Sequence, residues 1–522
     1  MQGVQIETAR VMKNIAKVFS AELDGITAKL IEIETDINVG LHSFTIVGLG
    51  DTALKEAKER VNSALKNIGI KPPTRENRRI VVNLAPADIK KSGSQYDIGI
   101  ALGYMLASNQ LKAVETKDKL FVGELALDSN IRPINGTLSI TKLAKKKGFR
   151  EIYVPEKNAK EAAIIRGIKV IPIKDLASVI AHLEERTSIR VQQETRMEGV
   201  QKRAGTSIAE IKGQDHAKRA LTIAGAGGHN LLMIGPPGTG KTMLAESLVS
   251  ILPPSEEEEI IEMTQIYSAA NMLEEKPFMG VRPFRAPHQT ASPASVIGGG
   301  QTPRPGEVSL AHRGVLFLDE LPEFRRDVLE NLRQPIENGH ITISRVKSNL
   351  IFPAKFSLVA AMNPCPCGYY GDEEKECTCA AYDVVRYQKK ISGPLLDRID
   401  LQINVPRVDI ENLRAKKVNY EEGERIRENV VRARKIQKER LINLKTKFTN
   451  AELSSKECDD MIKFDADAEQ FIGAVLGKAQ LSPRGFYRIL KVAQTIADLE
   501  GKSIVGKPEL AESYSYRVRS EE

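Results

Sequence analysis

The sequence predicts an α/β protein of more than one domain, with a mixed amino-terminal region, a parallel-sheet core and a helical carboxy-terminal region. Three observations carry that prediction. A chain of 522 residues is too long for one comfortable core. Apolar runs of strand length alternate with helical periodicities from Leu30 to about Asp409. Beyond that point the pattern turns helical and heavily charged, as in EEGERIRENVVRARKIQKERL.

Taken in order, the first region (1–185) reads as LIEIETDIN and SFTIVGL, then the helical LKEAKERVNSALKNIG, then RIVVNLAP and DIGIALGYMLASN, a mixture of α and β. From Ala181 to Thr206 the apolar periodicity fades, so a linker is expected over 186–206. A second α/β block begins near Ile208 and forms a core over 207–408, followed by a helical domain over 409–522. No repeat of 20 to 50 residues is present in the sequence, which excludes a solenoid.

Composition narrows the function classes. Charged residues are 28% and hydrophobic residues 41%, which suits a folded chain rather than a disordered one. No apolar run reaches the roughly 18 residues of a membrane helix, so no membrane partner is expected. The stretch MQGVQIETARVMKNIAKVF lacks a signal-peptide pattern. A cytoplasmic protein is therefore expected, in which structural disulfides are disfavoured. The net charge of +8 permits a polyanionic partner such as nucleic acid. Runs such as Lys145 to Lys147 read more simply as a solvated helix face.

The strongest chemical signal is LLMIGPPGTGKTMLAESLV, an apolar strand, a glycine-rich turn and a helix. Gly235, Pro236, Pro237, Gly238, Thr239, Gly240, Lys241 and Thr242 fill the pattern G-x-x-x-x-G-K-[ST]. Backbone N–H groups at such a turn wrap phosphates, and the helix presents its positive end to them. Lys241 would neutralise the β- and γ-phosphates of ATP, and Thr242 would ligate Mg²⁺. In GVLFLDELPEF an apolar strand ends in Asp319 and Glu320. Asp319 suits Mg²⁺, and Glu320 suits polarising the attacking water. A third apolar strand, FSLVAAMN, ends at Asn363, which could orient that water. Arg398 lies in a turn of SGPLLDRIDLQINVP, and Arg484 opens the helix in LSPRGFYRILKVAQTIADLEG. An arginine projected from a neighbouring subunit would stabilise transition-state charge.

Residues 363–379 read NPCPCGYYGDEEKECTC and hold four of the five cysteines. Cys365, Cys367, Cys377 and Cys379 can close a tetrahedral zinc site that stiffens a polar loop, although the spacing is tighter than Cys-x₂-Cys and four free thiols is the plain alternative. Cys458 stands alone as a packing residue. GHITISRVKSNLIFPAKF reads as two strands around a basic turn at Arg345 and Lys347. That turn either tracks a DNA backbone from inside a ring or caps an ordinary surface hairpin. The loop around Arg304 is a second candidate.

Together GPPGTGKT, VLFLDE, MNPCPCG, SGPLLDRID and LSPRGFYRILKVAQTIADLEG resemble the AAA+ ATPases of the magnesium chelatase-like group, specifically the bacterial ComM/YifB family. The resemblance runs from about Ile15 to Leu499. It implies Asn363 as sensor 1, Arg398 as arginine finger and Arg484 as sensor 2. It also implies a homo-oligomeric ring, expected to be a hexamer, with ATP between subunits. The expected activity is an ATP-driven helicase on branched or single-stranded DNA that promotes branch migration during transformation and recombination. The alternatives are the motor subunit of a magnesium chelatase and a nucleotide-switched scaffold. One departure occurs at RPFRAPHQTAS, where the family commonly has two histidines and this chain has His288-Gln289.

The first region, through GSQYDIGIALGYMLAS and the segment beginning FVGELALDSN, resembles the proteolytic domain of Lon proteases, which use a Ser–Lys dyad. Alignment puts Asp97 at the serine and Leu138 at the lysine, so a catalytically dead scaffold or DNA-facing module is expected. Ser92 and Ser94 lie nearby without a lysine partner. Family members usually lack the residues before Met12, which leaves Met12 as an alternative start.

Overall fold

The computed structural model describes residues 15–48, 51–89, 91, 93–112, 114–197, 205–273, 276–300, 303–344, 349–408, 419–444, 447–476 and 481–517. Met12, Ser92 and the basic turn Arg345 to Lys347 lie outside the described residues. The chain forms two compact units, 1–198 with 264–279, and 199–263 with 280–522.

The first unit is built on β1 (Ala16–Asp24), β2 (Thr27–Val39), β3 (Ser43–Val47), β4 (Arg78–Ala85), β5 (Lys119–Phe121), a small ribbon of β6 (Glu124–Leu125) and β7 (Ile131–Arg132), then β8 (Glu151–Pro155) and β9 (Lys169–Ile173). Seven of these form one mixed sheet in the order β3-β4-β2-β1-β5-β8-β9. Strand β2 shows why it forms. Ile31, Ile33 and Thr35 point inward and are fully buried, while Glu32 and Glu34 alternate with them. DIGIALGYMLA is buried along almost its whole length as the helix Asp97–Ala107, packed on β1 and β2. The segment 264–279 falls inside the stretch expected as core, yet it packs within the first unit. There Ser268 Oγ donates to Glu161 and Gln265 Nε2 donates to Ser139 Oγ at 3.2 Å.

The second unit contains β10 (Leu231–Ile234), β11 (Phe284–Arg285), a ribbon of β12 (Gly298–Gly299) and β13 (Arg304–Pro305), β14 (Val315–Leu318), the hairpin β15 (His340–Ser344) and β16 (Asn349–Pro353), β17 (Ser357–Met362) and β18 (Leu401–Asn404). Five of them form a parallel sheet in the order β11-β14-β17-β10-β18. Its inner strands are near-continuous apolar runs because both faces are covered: Val315 to Leu318 and Leu358 to Ala361 are at most 1% exposed. Because all five strands run the same way, every strand's carboxyl end lies on one edge of the sheet and every amino end on the other.

The carboxy-terminal region is helical, with Tyr420–Arg440, Ser455–Met461, Ala466–Phe471, Pro483–Glu500 and Lys507–Ser515. Ser482 starts the long helix by accepting a hydrogen bond from Gly485 N at 3.1 Å, with Pro483 next to it, both favoured at a helix start. Cys458 is 1% exposed in the core of this region, as expected for a packing residue. Among the described residues no helix is long and apolar enough to cross a membrane.

Candidate nucleotide site

Strand β10 runs straight into the glycine-rich turn, and the helix Lys241–Ile251 leaves it. Gly238 (φ 81°) and Gly240 (φ 78°) are left-handed, a conformation side chains resist, and nothing lies within 4 Å of where a Cβ would stand on either. The turn is thus an open cradle of backbone N–H groups, which fits a triphosphate. Gln214 Nε2 braces it by donating to Thr239 O at 2.9 Å. Lys241 Nζ donates to Gly235 O and Pro236 O at 2.8 Å each and lies 3.4 Å from Asn363 Oδ1. Burial pushes its ammonium below the usual lysine value, and Asp319 and Glu320 offset part of that effect.

The neighbouring strands deliver their end residues to the same edge. Thr242 Oγ1 donates to Asp319 Oδ2 at 3.1 Å, pairing the hydroxyl and carboxylate that would hold Mg²⁺. Glu320 adopts a left-handed backbone (φ 51°), rare for a residue with a side chain, and its N–H donates to Asp319 Oδ1 at 2.9 Å. A strained residue held this way at a strand tip is a feature of functional sites. Asn363 follows β17 on the same edge. The edge therefore gathers Lys241, Thr242, Asp319, Glu320 and Asn363.

Arg398 and Arg484 are elsewhere. Asn230, just before β10, donates from Nδ2 to Arg398 O at 3.0 Å and accepts the backbone N–H groups of Asp400 and Leu401. Arg398 is thus anchored at the amino end of β10, and the phosphate cradle is at its carboxyl end. A strand of that length spans about 13 Å. Arg484 Nη1 lies 3.2 Å from Glu337 Oε1, the same oxygen that pairs with Arg398 Nη2, so the two arginines share one edge. Glu337 gave no signal in the sequence, being one acidic residue at the end of a short helix. Gln214 did leave one, a Gly-Gln pair in left-handed conformation opening the helix Asp215–Gly227.

The four clustered cysteines converge. All their sulfurs lie within 4.8 Å of one another, with Cys365 to Cys367 at 3.3 Å, Cys365 to Cys377 at 3.7 Å and Cys367 to Cys377 at 3.6 Å. Tetrahedral zinc with bonds of about 2.3 Å sets sulfurs about 3.8 Å apart, so the donor set fits the ion. The loop is tied down by Arg407, 3.2 Å from Asp372 and 2.9 Å from Glu374. A Cβ on Gly368 would come within 2.7 Å of Pro237, so the cysteine loop abuts the phosphate cradle.

Comparison with known proteins now decides the family. Residues 207–413 match the family described as magnesium chelatase, subunit ChlI, residues 33–158 match subunit ChlI of Mg-chelatase, and 420–517 match the carboxy-terminal part of that subunit. Competence protein ComM of Haemophilus influenzae is 42% identical over 508 residues, covering 97% of this chain and 98% of that one. The protein YifB of Escherichia coli is 41% identical over 494 residues, 95% of each chain.

The chain belongs to the magnesium chelatase-like ComM/YifB family. Its second unit carries the AAA+-type ATPase core that goes with the ComM/YifB family. A Lon protease of Rhizobium meliloti is 28% identical over 163 residues, 30% of this chain and 20% of that one. In the first unit, Asp97 is 1% exposed and forms a two-point ion pair with Arg60, with Nε to Oδ2 at 2.6 Å and Nη2 to Oδ1 at 3.2 Å. Leu138 is fully buried, and Ser94 Oγ donates to Glu124. His288 is exposed, its Nδ1 2.8 Å from Thr290 Oγ1, and Arg304 is exposed on β13.

Proposed function

We propose that this ComM/YifB-family chain is an ATP-hydrolysing ring motor that acts on DNA as a branch-migration helicase. The observation that carries the reading is the separation of the two halves of the site across one parallel sheet. The carboxyl edge holds the cradle and Asp319, Glu320 and Asn363, and the amino edge holds Arg398 and Arg484. One chain has no means of bringing its own Arg398 to its own phosphates across the sheet, so a neighbouring chain supplies the arginine, as in a closed ring. Hydrolysis forms a bond from the water oxygen to the γ-phosphorus and breaks the bond to the bridging oxygen, which leaves on ADP. Glu320 takes the water proton, Asn363 orients the water, and Arg398 of the next subunit balances the charge on the equatorial oxygens. Mg²⁺, held by Thr242 and Asp319, would neutralise phosphate charge.

DNA as the partner is supported by the name of the Haemophilus relative, a competence protein, and by the excess of basic residues. We read the first unit as a Lon-like scaffold without protease chemistry, because an Arg60-paired Asp97 and a buried Leu138 offer neither nucleophile nor base. We assign the cysteine loop to structural zinc and the protein to the cytoplasm as a hexamer. The test is the rate of ATP hydrolysis with and without forked and single-stranded DNA, using Glu320→Gln as the inactive control. Stimulation by DNA that vanishes in the variant supports the motor. Robust turnover indifferent to every DNA would redirect the reading to a chelatase-type motor.

A further inference from the structure

The amino edge of the core sheet opens into a cavity of about 590 Å³. Eight basic and four acidic side chains line it, so it carries a surplus of positive charge. The acidic groups are already committed. Glu259 pairs with Arg282 at 2.7 Å, Lys355 takes Glu452 at 3.1 Å, and Glu337 is shared by Arg398 and Arg484. Asp400, its side chain 9% exposed, accepts from Asn230 N at 3.0 Å and faces His229 at 3.5 Å.

Arg488 reaches the last of these carboxylates only loosely, from Nε. It sits one turn beyond Arg484 on the helix Pro483–Glu500, on the same face. Its side chain is only 16% exposed. Its nearest charge is Asp400, 3.5 Å from Nε, and Nη1 is buried with no partner among the described residues. The Nε of Arg398 is likewise buried and unpartnered, with Arg398 7% exposed. A guanidinium brings five donors, and burying them unused is expensive. Burial also pushes Arg488 and Lys491 below their usual values, as it does Arg434, brought down to about 10. This wall is short of an anion. A cavity of this size admits a triphosphate but is far too narrow for a duplex.

We propose that Arg488 is a second catalytic arginine of the shared site, donating with Arg398 to phosphoryl oxygens of the nucleotide held in the neighbouring subunit's cradle. The inference rests on the shared-site reading above and adds a residue to it. Arg398 reaches from the rim beside Glu337, and Arg488 from the wall beside Asp400. Two guanidinium groups would then face the charge that builds on the γ-phosphoryl oxygens as the bond to the bridging oxygen breaks.

The test mixes full-length variants. Arg488→Gln alone should turn over ATP roughly 100-fold more slowly, while still binding ATP in its own cradle. Mixed with Lys241→Ala, itself inactive, turnover should return, because the intact cradle of one chain meets the intact arginines of the other. Arg398→Ala mixed with Lys241→Ala is the control for the underlying reading. Recovery with Arg398→Ala but not with Arg488→Gln would overturn the role given to Arg488. No recovery in either mixture would overturn the shared site itself. Normal turnover in Arg488→Gln with lost DNA stimulation would overturn the proposal in favour of DNA phosphates as the ligand. If Arg488→Gln fails to fold beside Asp400, Arg488→Lys keeps the charge, and its reduced turnover must still be rescued in the mixture.

Discussion

At the scale of single residues, the site depends on close approaches and paired charges. A Cβ on Gly235 would stand 2.2 Å from Val405 O, a backbone atom with no room to yield. Gly235→Ala should therefore cost about 1–3 kcal/mol and displace the cradle, read as a lower melting temperature and weaker ATP binding. Glu320→Gln should bind ATP normally and hydrolyse it at least roughly 100-fold more slowly, because an amide cannot take the water proton in the role proposed for the carboxylate. Asp97 makes a pH-dependent prediction. Burial lifts its carboxyl from 3.8 to about 6, against the pull of Arg60. Its contribution to stability is therefore complete below 3.8 and lost as pH rises through about 6. Relative to Asp97→Asn, the wild-type chain should lose about 3 kcal/mol across that window, visible as a falling urea midpoint. Equal slopes for both proteins would contradict it.

At the scale of elements, legibility in the sequence followed locality. The cradle could be read because glycines, lysine and threonine are contiguous and flanked by a strand and a helix. Asp319, Glu320 and Asn363 were legible as the polar ends of apolar strands. Converging sulfurs were foreseeable from the cysteine spacing, but the contact between Gly368 and Pro237 was not, since it depends on how the loop folds back. That contact makes the loop testable. The purified chain should carry about one zinc, and Cys377→Ser should lose it and lower ATP turnover roughly tenfold by loosening the loop against the cradle. Metal analysis alongside turnover decides it: full activity in a zinc-free variant would remove the loop from the account. The pairing of Arg398 and Arg484 on Glu337 was invisible, because it is set by strand order and by where a distant helix lands. Arg488 left a faint signal, a second arginine at helical spacing from Arg484, overshadowed by the motif around it.

At the scale of the whole molecule, a parallel sheet separates what one catalytic event needs. On the proposed reading the carboxyl edge binds and activates, the amino edge stabilises, and a second copy joins them. Activity should thus be a property of the assembly. The most direct measurement is ATP turnover per chain across a dilution series, with the mass of the particle followed by light scattering. The account predicts that turnover per chain is negligible in the monomer and rises with the fraction assembled. A monomer that hydrolyses ATP at the full rate per chain would contradict it.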